Sequence, residues 1–415
     1  MNADWDVPIV GGGAAGIGAA RRLAGTAVRA LLVEAGPRLG GRAWTAELAG
    51  LPLDLGCGWL HSGERNAWTA VAEASGVAVE RGPAAWRQQF RDLGFPPDQQ
   101  DAADEAFAAW YERLPVVARA GDRAADALAP GGAWNAYVQA IVGYISGARL
   151  DRLSAADYVA YDSASTEQNW RVPSGYGALV AASVPVGFPV RLATPVLSLD
   201  LDAGGIAAAT PAGTIRARAA ILTVSTAVLA RGALRLPAAL EPWREAAACL
   251  PLGDNEKLFL EIVGPSPFEP ETHVIGDPRD PATGSYYIRP FGRPVVEVFL
   301  GGEGGRLVAD RGPAEAFAFA QDQLATLFGA QVRRSLRPLA ASSWSRTTHV
   351  GGGYSYAVPG EGAARRRLAA PFDDRVFFAG EASHETDFST AHGAHDTGLR
   401  AAEEAVAVLR ARRPA

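Results

Sequence analysis

One segment near the start constrains this chain more than any other. Val7 to Val10 is a short apolar run, followed by Gly11-Gly12-Gly13-Ala14-Ala15-Gly16, a helix-forming stretch Ile17 to Leu23, and a second apolar run, Val28 to Val33, that ends at Glu34. Gly11, Gly13 and Gly16 satisfy G-x-G-x-x-G, and the acid comes 18 residues after the last of them. The pattern predicts strand, tight turn, helix, strand. Gly11 makes the turn, Gly13 lets backbone approach a pyrophosphate, and Gly16 lets helix and strand pack closely. The helix start, with Ala15 in its first turn, offers free N–H groups to phosphates. Glu34 suits ribose hydroxyls and repels a 2′-phosphate, which argues for a dinucleotide other than NADP. Pro8 is awkward in such a strand because it removes a ladder donor.

The residues after Glu34 separate FAD from NAD. The chain reads Ala35-Gly36-Pro37-Arg38-Leu39-Gly40-Gly41-Arg42, a second glycine pair for which an NAD domain has no use. Here the sequence resembles the flavin-dependent amine oxidase family, which continues its ribose-binding acid into R-x-G-G-R. Further likenesses come in order along the chain. Asp54-Leu55-Gly56-Cys57-Gly58-Trp59-Leu60-His61 resembles the family segment under the flavin ring, and Arg171 to Gly177 its return into the FAD domain. Val196 matches an adenine-side valine. Pro251-Leu252-Gly253-x-x-x-Lys257 is similar to the family's lysine motif, and Trp344 precedes Tyr354 by the family's ten-residue spacing. Gly353-Tyr354-Ser355-Tyr356 resembles the polyamine oxidase form. Phe378-Ala379-Gly380-Glu381-Ala382 and Ser389-Thr390-Ala391-His392-Gly393-Ala394 resemble the closing FAD motif. Residues 75–165 carry no such match.

The resemblance implies an α/β fold: a Rossmann-type FAD-binding domain of the glutathione-reductase kind with a second, mixed α+β substrate domain. The motifs are scattered, so both are discontinuous: 1–70, 170–250 and 345–415 for FAD, 71–169 and 251–344 for substrate. Cofactor contacts are expected at Gly11, Gly13, Ala15, Gly16, Glu34, Ala35, Gly41, Arg42, Gly56, Cys57, Trp59, Val196, Gly380, Glu381, Thr390 and Ala391. Glu381 is expected at the ribityl or pyrophosphate region. Lys257, Tyr354, Trp344, Thr390 and His61 are the candidate catalytic residues.

Departures from the family pattern also inform. Gly353 stands where some monoamine oxidases carry a flavin-linking cysteine, so FAD is expected to be non-covalent. Thr390 replaces a second cage aromatic, which leaves the cage half open. Thr347 stands where polyamine oxidases often have Asp. Trp59 occupies the place of the arginine that L-amino-acid oxidases use for a carboxylate, which argues against an amino-acid substrate.

The implied reaction is oxidation of an amine C–N bond to an imine, with the hard step supplied by the cofactor. An apolar, aromatic slot is sensible because desolvation disfavours the unreactive ammonium form; Tyr354 and Trp344 are expected to wall it. Lys257 falls in a strand-like run, Asn255 to Val263, with Leu258, Leu260 and Ile262 on the opposite face. Of 39 basic residues it is the only lysine. Thr390 is placed to cap the final helix and aim its N-terminus at the flavin. His384, His392 and His395 cluster, but a flavin motif and a helix core face account for the last two better than a metal does. The acidic stretch Asp98 to Glu112 reads as a solvated helix face that could also steer a polycation.

Composition narrows the rest. The 415 residues are 48% apolar and 20% charged, with a net charge of −6 and no basic stripe, so nucleic acid is an unsuitable partner. Two cysteines are too few for a disulfide framework. No leader pattern or long apolar span is visible, so a cytoplasmic, membrane-free protein is expected, either monomer or homodimer. No second nucleotide motif is present, so O2 or a carrier must reoxidise the flavin, making peroxide in the first case. Two other readings stand beside the amine oxidase: a desaturase or porphyrinogen-type oxidase acting on a greasy substrate, and a non-catalytic flavoprotein.

Overall fold

Strand Val7–Val10 is buried along its whole length and pairs in parallel with Ala30–Val33 on one side and Ala220–Leu222 on the other. The computed structural model describes residues 4–411 apart from 87, 88, 92, 203, 265 and 266; the ends of the expected FAD segments, 1–3 and 412–415, lie outside them. Val376–Phe378 and Val190–Arg191 complete a five-stranded parallel sheet in the order 376–378, 220–222, 7–10, 30–33, 190–191. The helix starts at Ala14, earlier than the sequence suggests, and runs to Leu23. Its Gly18 meets His395 backbone of the C-terminal helix Ala391–Ala411, and Gly398 of that helix meets Ala15. Paired glycines let these two helices approach closely on one face of the sheet.

Pro8 costs this sheet little. The amides of Val7 and Gly11 bond toward the Ala30–Val33 strand, so by alternation the Pro8 nitrogen faces the other neighbour. Pairing on that side begins only at Ile9.

A second sheet is antiparallel, in the order Thr272–Ile275, Ser285–Ile288, Val295–Gly301, Asn255–Ile262, Leu336–Ala341. Leu258, Leu260 and Ile262 face a core shared with Val296, Val298 and Leu300, as the alternation predicts. The helix Pro313–Phe328 contributes Ala316, Ala320 and Leu324 to the same core. On the opposite face Phe259 packs with Leu53 and Leu55, beside the hairpin Thr45–Leu48/Leu51–Asp54. The sequence suggests helices over 102–114 and 133–146; the first is longer at both ends, Pro97–Ala120, the second two residues shorter at its start, Asn135–Ser146, and together they enclose a further core around Trp110 and Val142.

Candidate active site

A cavity of about 1290 Å³ runs from the glycine-rich turn to the face of the second sheet. That exceeds the roughly 300–1,000 Å³ usual for one ligand, so it has room for a cofactor and a substrate together. All of the sequence-derived site residues line it except Gly16, which lies just behind the turn.

At the nucleotide end the glycines behave as the motif requires. Gly11 has φ +115°, and a Cβ there would lie 2.5 Å from Thr223 Oγ1. A Cβ on Gly16 would fall 1.9 Å from the Gly11 carbonyl oxygen. Gly13 differs: nothing in the protein would come closer than 3.9 Å to its Cβ, so the space beside it belongs to the cavity. That space, at the N-terminus of helix Ala14–Leu23, has the shape and the free N–H groups that would fit a pyrophosphate. The donors and shape at this end therefore suit a dinucleotide.

Two acids of the cavity are also engaged within the protein. Glu34 faces the cavity but accepts hydrogen bonds from Gly12 N at 2.6 Å and Gly36 N at 2.7 Å, so it also braces its own loops. Glu381 is buried and its carboxylate is already engaged. Arg42 Nη1 binds it at 2.9 Å, Ser355 Oγ donates at 2.6 Å and Ser389 N at 3.0 Å. Burial would raise its pKa, but Arg42 and these donors hold it below the usual carboxylate range. Arg42 also reaches the Gly353 carbonyl, which ties the closing motif to the second glycine pair.

Thr390 caps the C-terminal helix. Its Oγ1 accepts from Gly393 N at 3.0 Å and donates to the Asp387 carbonyl at 2.6 Å. Gly380, Ala391 and Val196 lie at the cavity surface. His392 hydrogen-bonds Asn66 and sits 3.3 Å from Asp387, and His395 packs on Trp68. Among the described residues no group of His, Cys, Asp and Glu is arranged for a metal ion.

Lys257 lines the cavity beside Gly58. It is 7% exposed, and its Nζ forms an ion pair with Glu297 Oε1 at 2.7 Å. Burial opposes its charge, but Glu297 and Asp54 outweigh that and raise its pKa, so it is an ammonium. A Cβ on Gly58 would lie 2.8 Å from Nζ, so glycine there makes room for it. Asp54 caps the helix Tyr176–Ala182 through the amides of Tyr176 and Gly177. Burial pushes the Cys57 thiol up to about 12, which leaves it neutral. His61 is driven by burial down to about 4, despite a 2.7 Å hydrogen bond with Asn169.

Beyond Lys257 the walls are aromatic. Trp344 is held by its indole N–H, which donates to the Leu55 carbonyl at 3.1 Å, and by an edge contact with Trp44. Tyr354 donates its hydroxyl to the Tyr144 carbonyl. Trp59 packs against Trp86 at 4.4 Å between ring centres and lies under the Arg171 guanidinium.

Several cavity residues escape a reading of the sequence. Helix Asn135–Ser146 presents Tyr137, Ile141, Tyr144 and Ile145; helix Pro97–Ala120 presents Gln100, Asp104, Phe107 and Tyr111. Both sets follow the i, i+4, i+7 spacing of one helix face, a signal present in residues 75–165 but indistinguishable from core packing. Asp104, within the acidic stretch, is exposed and accepts from Tyr137. Glu256 carries no sequence signal either. It accepts from Trp344 N and Ser342 Oγ, both at 2.6 Å, and burial raises its pKa to about 7.

Similarity to known proteins agrees with this geometry. Residues 83–406 match the family model of flavin containing amine oxidoreductases, and residues 9–74 match an NAD(P)-binding Rossmann-like domain. The chain belongs to the flavin-containing amine oxidoreductase family; its cofactor is FAD and it is an amine-oxidising oxidoreductase. Among its relatives, polyamine oxidase 2 of Arabidopsis thaliana is 26% identical over 96% of this chain and 87% of its own. Pseudooxynicotine dehydrogenase of a Pseudomonas species is 28% identical over 54% of this chain and 52% of its own. A solved structure of putrescine oxidase bound to putrescine superposes with a TM-score of 0.78, covering 97% of this chain and 99% of that one at 17% identity, which speaks for the fold.

Proposed function

We propose that this protein oxidises the C–N bond of a small amine in a cavity shared with non-covalent FAD, and that O2 accepts the electrons. When bound, FAD supplies a two-electron acceptor at ring nitrogen N5, so the amine becomes an imine that water converts to an aldehyde plus amine or ammonia, while O2 becomes hydrogen peroxide. The chain does the rest. Gly13 and the helix start at Ala14 hold the pyrophosphate, Glu34 the ribose, and Val196 borders the adenine. Gly41, Arg42, Gly56, Cys57 and Trp59 border the ring system. The capped start of the C-terminal helix turns its partial positive charge toward the ring edge that gains electron density. Trp344, Tyr354 and Trp59 exclude water, which favours the neutral, reactive amine. In this reading 1–70, 170–250 and 345–415 form the FAD domain, and 71–169 and 251–344 the substrate domain. The strands of the parallel sheet all fall in the first set, and those of the antiparallel sheet in the second.

The observation that carries the proposal is Lys257, the chain's one lysine, buried as an ammonium in the wall of the cavity that also takes in the glycine-rich turn, Trp344 and Tyr354. Anaerobic mixing of the holoenzyme with monoamines, diamines and polyamines tests it. Loss of the oxidised flavin absorbance with at least one class is the expected result, followed in air by one peroxide per amine. Bleaching by none of them transfers the case to a desaturase-type reaction. Bleaching without peroxide keeps the amine reaction and replaces O2 with a carrier.

A further inference from the structure

Glu297 is a carboxylate inside an apolar strand, Val295-Val296-Glu297-Val298-Phe299-Leu300-Gly301. Val296, Val298 and Leu300 enter the core, while Glu297 and Phe299 alternate onto the cavity face. The register sets Lys257 opposite Phe299 and Phe259 opposite Glu297, so Lys257 and Glu297 are diagonal neighbours on that face. Their side chains are 9% and 19% exposed. A charge in such a strand, with a core on its other face, is costly unless it has a partner.

We propose that Glu297 is a positioning residue: it fixes the Lys257 ammonium against the cavity wall at Gly58, and so sets where the positive charge lies relative to the flavin. The inference rests on the functional reading above. It deepens that reading by adding a residue the lysine motif does not contain.

Two features support a role beyond packing. Nζ also lies against Gly58, where a Cβ would come to 2.8 Å and push the ammonium aside. The lysine is also reached from two directions. Glu297 comes from the neighbouring strand and Asp54 from the hairpin, with Cys57 and His61 close by; on the far side of Glu297 stand Tyr287, which bonds Arg171 and Glu271, and Arg293, and of all these groups Glu297 is the one bonded to Nζ. Without Glu297 the flexible four-carbon stem would keep its charge but lose its fixed direction. The ammonium would also titrate at lower pH.

The test uses holoenzymes carrying Glu297→Ala, Glu297→Gln, Lys257→Met and the double change Glu297→Ala/Lys257→Met, each with FAD content and thermal midpoint measured. Rates of anaerobic flavin reduction by a reactive amine and of reoxidation by O2 are followed across pH. Glu297→Ala should slow the lysine-dependent half-reaction about 10-fold and move its alkaline limb to lower pH. Glu297→Gln, which keeps an acceptor oxygen, should recover part of the rate but not the limb. In the Lys257→Met background Glu297→Ala should add nothing, because residues acting through one another are non-additive. Equal effects of Glu297→Ala with and without Lys257 would overturn the inference, as would a loss that merely tracks FAD content. If Lys257→Met alone leaves both half-reactions unchanged, the functional reading fails first.

Discussion

A lysine that is 7% exposed must be explained, because its ammonium is costly to bury. Lys257 meets that cost through Glu297 and Asp54, and so remains charged in the cavity wall. Replacing it by methionine keeps the length and apolar stem and removes the charge. Lys257→Met leaves Glu297 without its partner, so the thermal midpoint should fall; the folded holoenzyme should still bind FAD, yet turn the flavin over about 10-fold or more slowly, the scale of one lost electrostatic donor. Stopped-flow absorbance checks this. His61 shows the opposite solution, since burial keeps it neutral with a pKa near 4. The unfolded chain takes up a proton near pH 6.5, and the folded one only near 4. Stability should fall as pH drops through that window, by up to about 3 kcal/mol. Glu256 works with the reverse sign, because its raised pKa of about 7 costs stability as pH rises from 4.5. The His61 contribution is thus read as a difference. Urea unfolding of wild type minus that of His61→Gln should show it, and parallel pH curves for the two would rule it out.

At the scale of elements, two helix starts converge on the cavity, one at Ala14 and one at Ala391. The first is made possible by glycine contacts that tolerate no side chain. Gly16→Ala would drive a methyl into the Gly11 carbonyl, 1.9 Å away. The turn would have to open, so the purified protein should lose most of its yellow colour, with FAD titration showing at least 10-fold weaker binding. The second start depends on one side chain, Thr390. Thr390→Ala removes a cap and leaves the Asp387 carbonyl without its hydroxyl donor. About 1–2 kcal/mol of stability should be lost, measured by denaturant midpoint. Helices read from the sequence agree with the structure where periodicity is strong and differ at the ends. Helix Pro97–Ala120 extends well past the expected 102–114, because Pro97 opens its first turn and the chain continues helical through Pro115.

For the whole molecule, the cavity joins elements far apart in the chain, from Val10 to Ala394. Ligand in that cavity ties them together, so FAD should stabilise the fold by linkage. At free FAD about 100 times Kd the gain should be roughly 2.7 kcal/mol over apoprotein, seen as a concentration-dependent rise in thermal midpoint. A midpoint independent of FAD would contradict the proposed site.

The nucleotide end is legible in the sequence because its chemistry is local: turn, cradle and helix start lie within Gly11 to Gly16, and backbone geometry dictates which residues can stand there. Lys257, Trp344, Tyr354 and Thr390 are singled out by resemblance to the family's motifs, each short enough to be recognised without knowledge of its neighbours in space. The partners of those residues are not legible. Glu297 meets Lys257 only because two antiparallel strands adopt one register, and Glu381 is occupied by Arg42 across 339 positions of chain. Tyr137, Ile141 and Tyr144 read as core from sequence, and only packing turns their helix face toward a cavity. Local stereochemistry is written residue by residue, whereas pairing over long separations depends on the register and burial that the folded chain alone supplies.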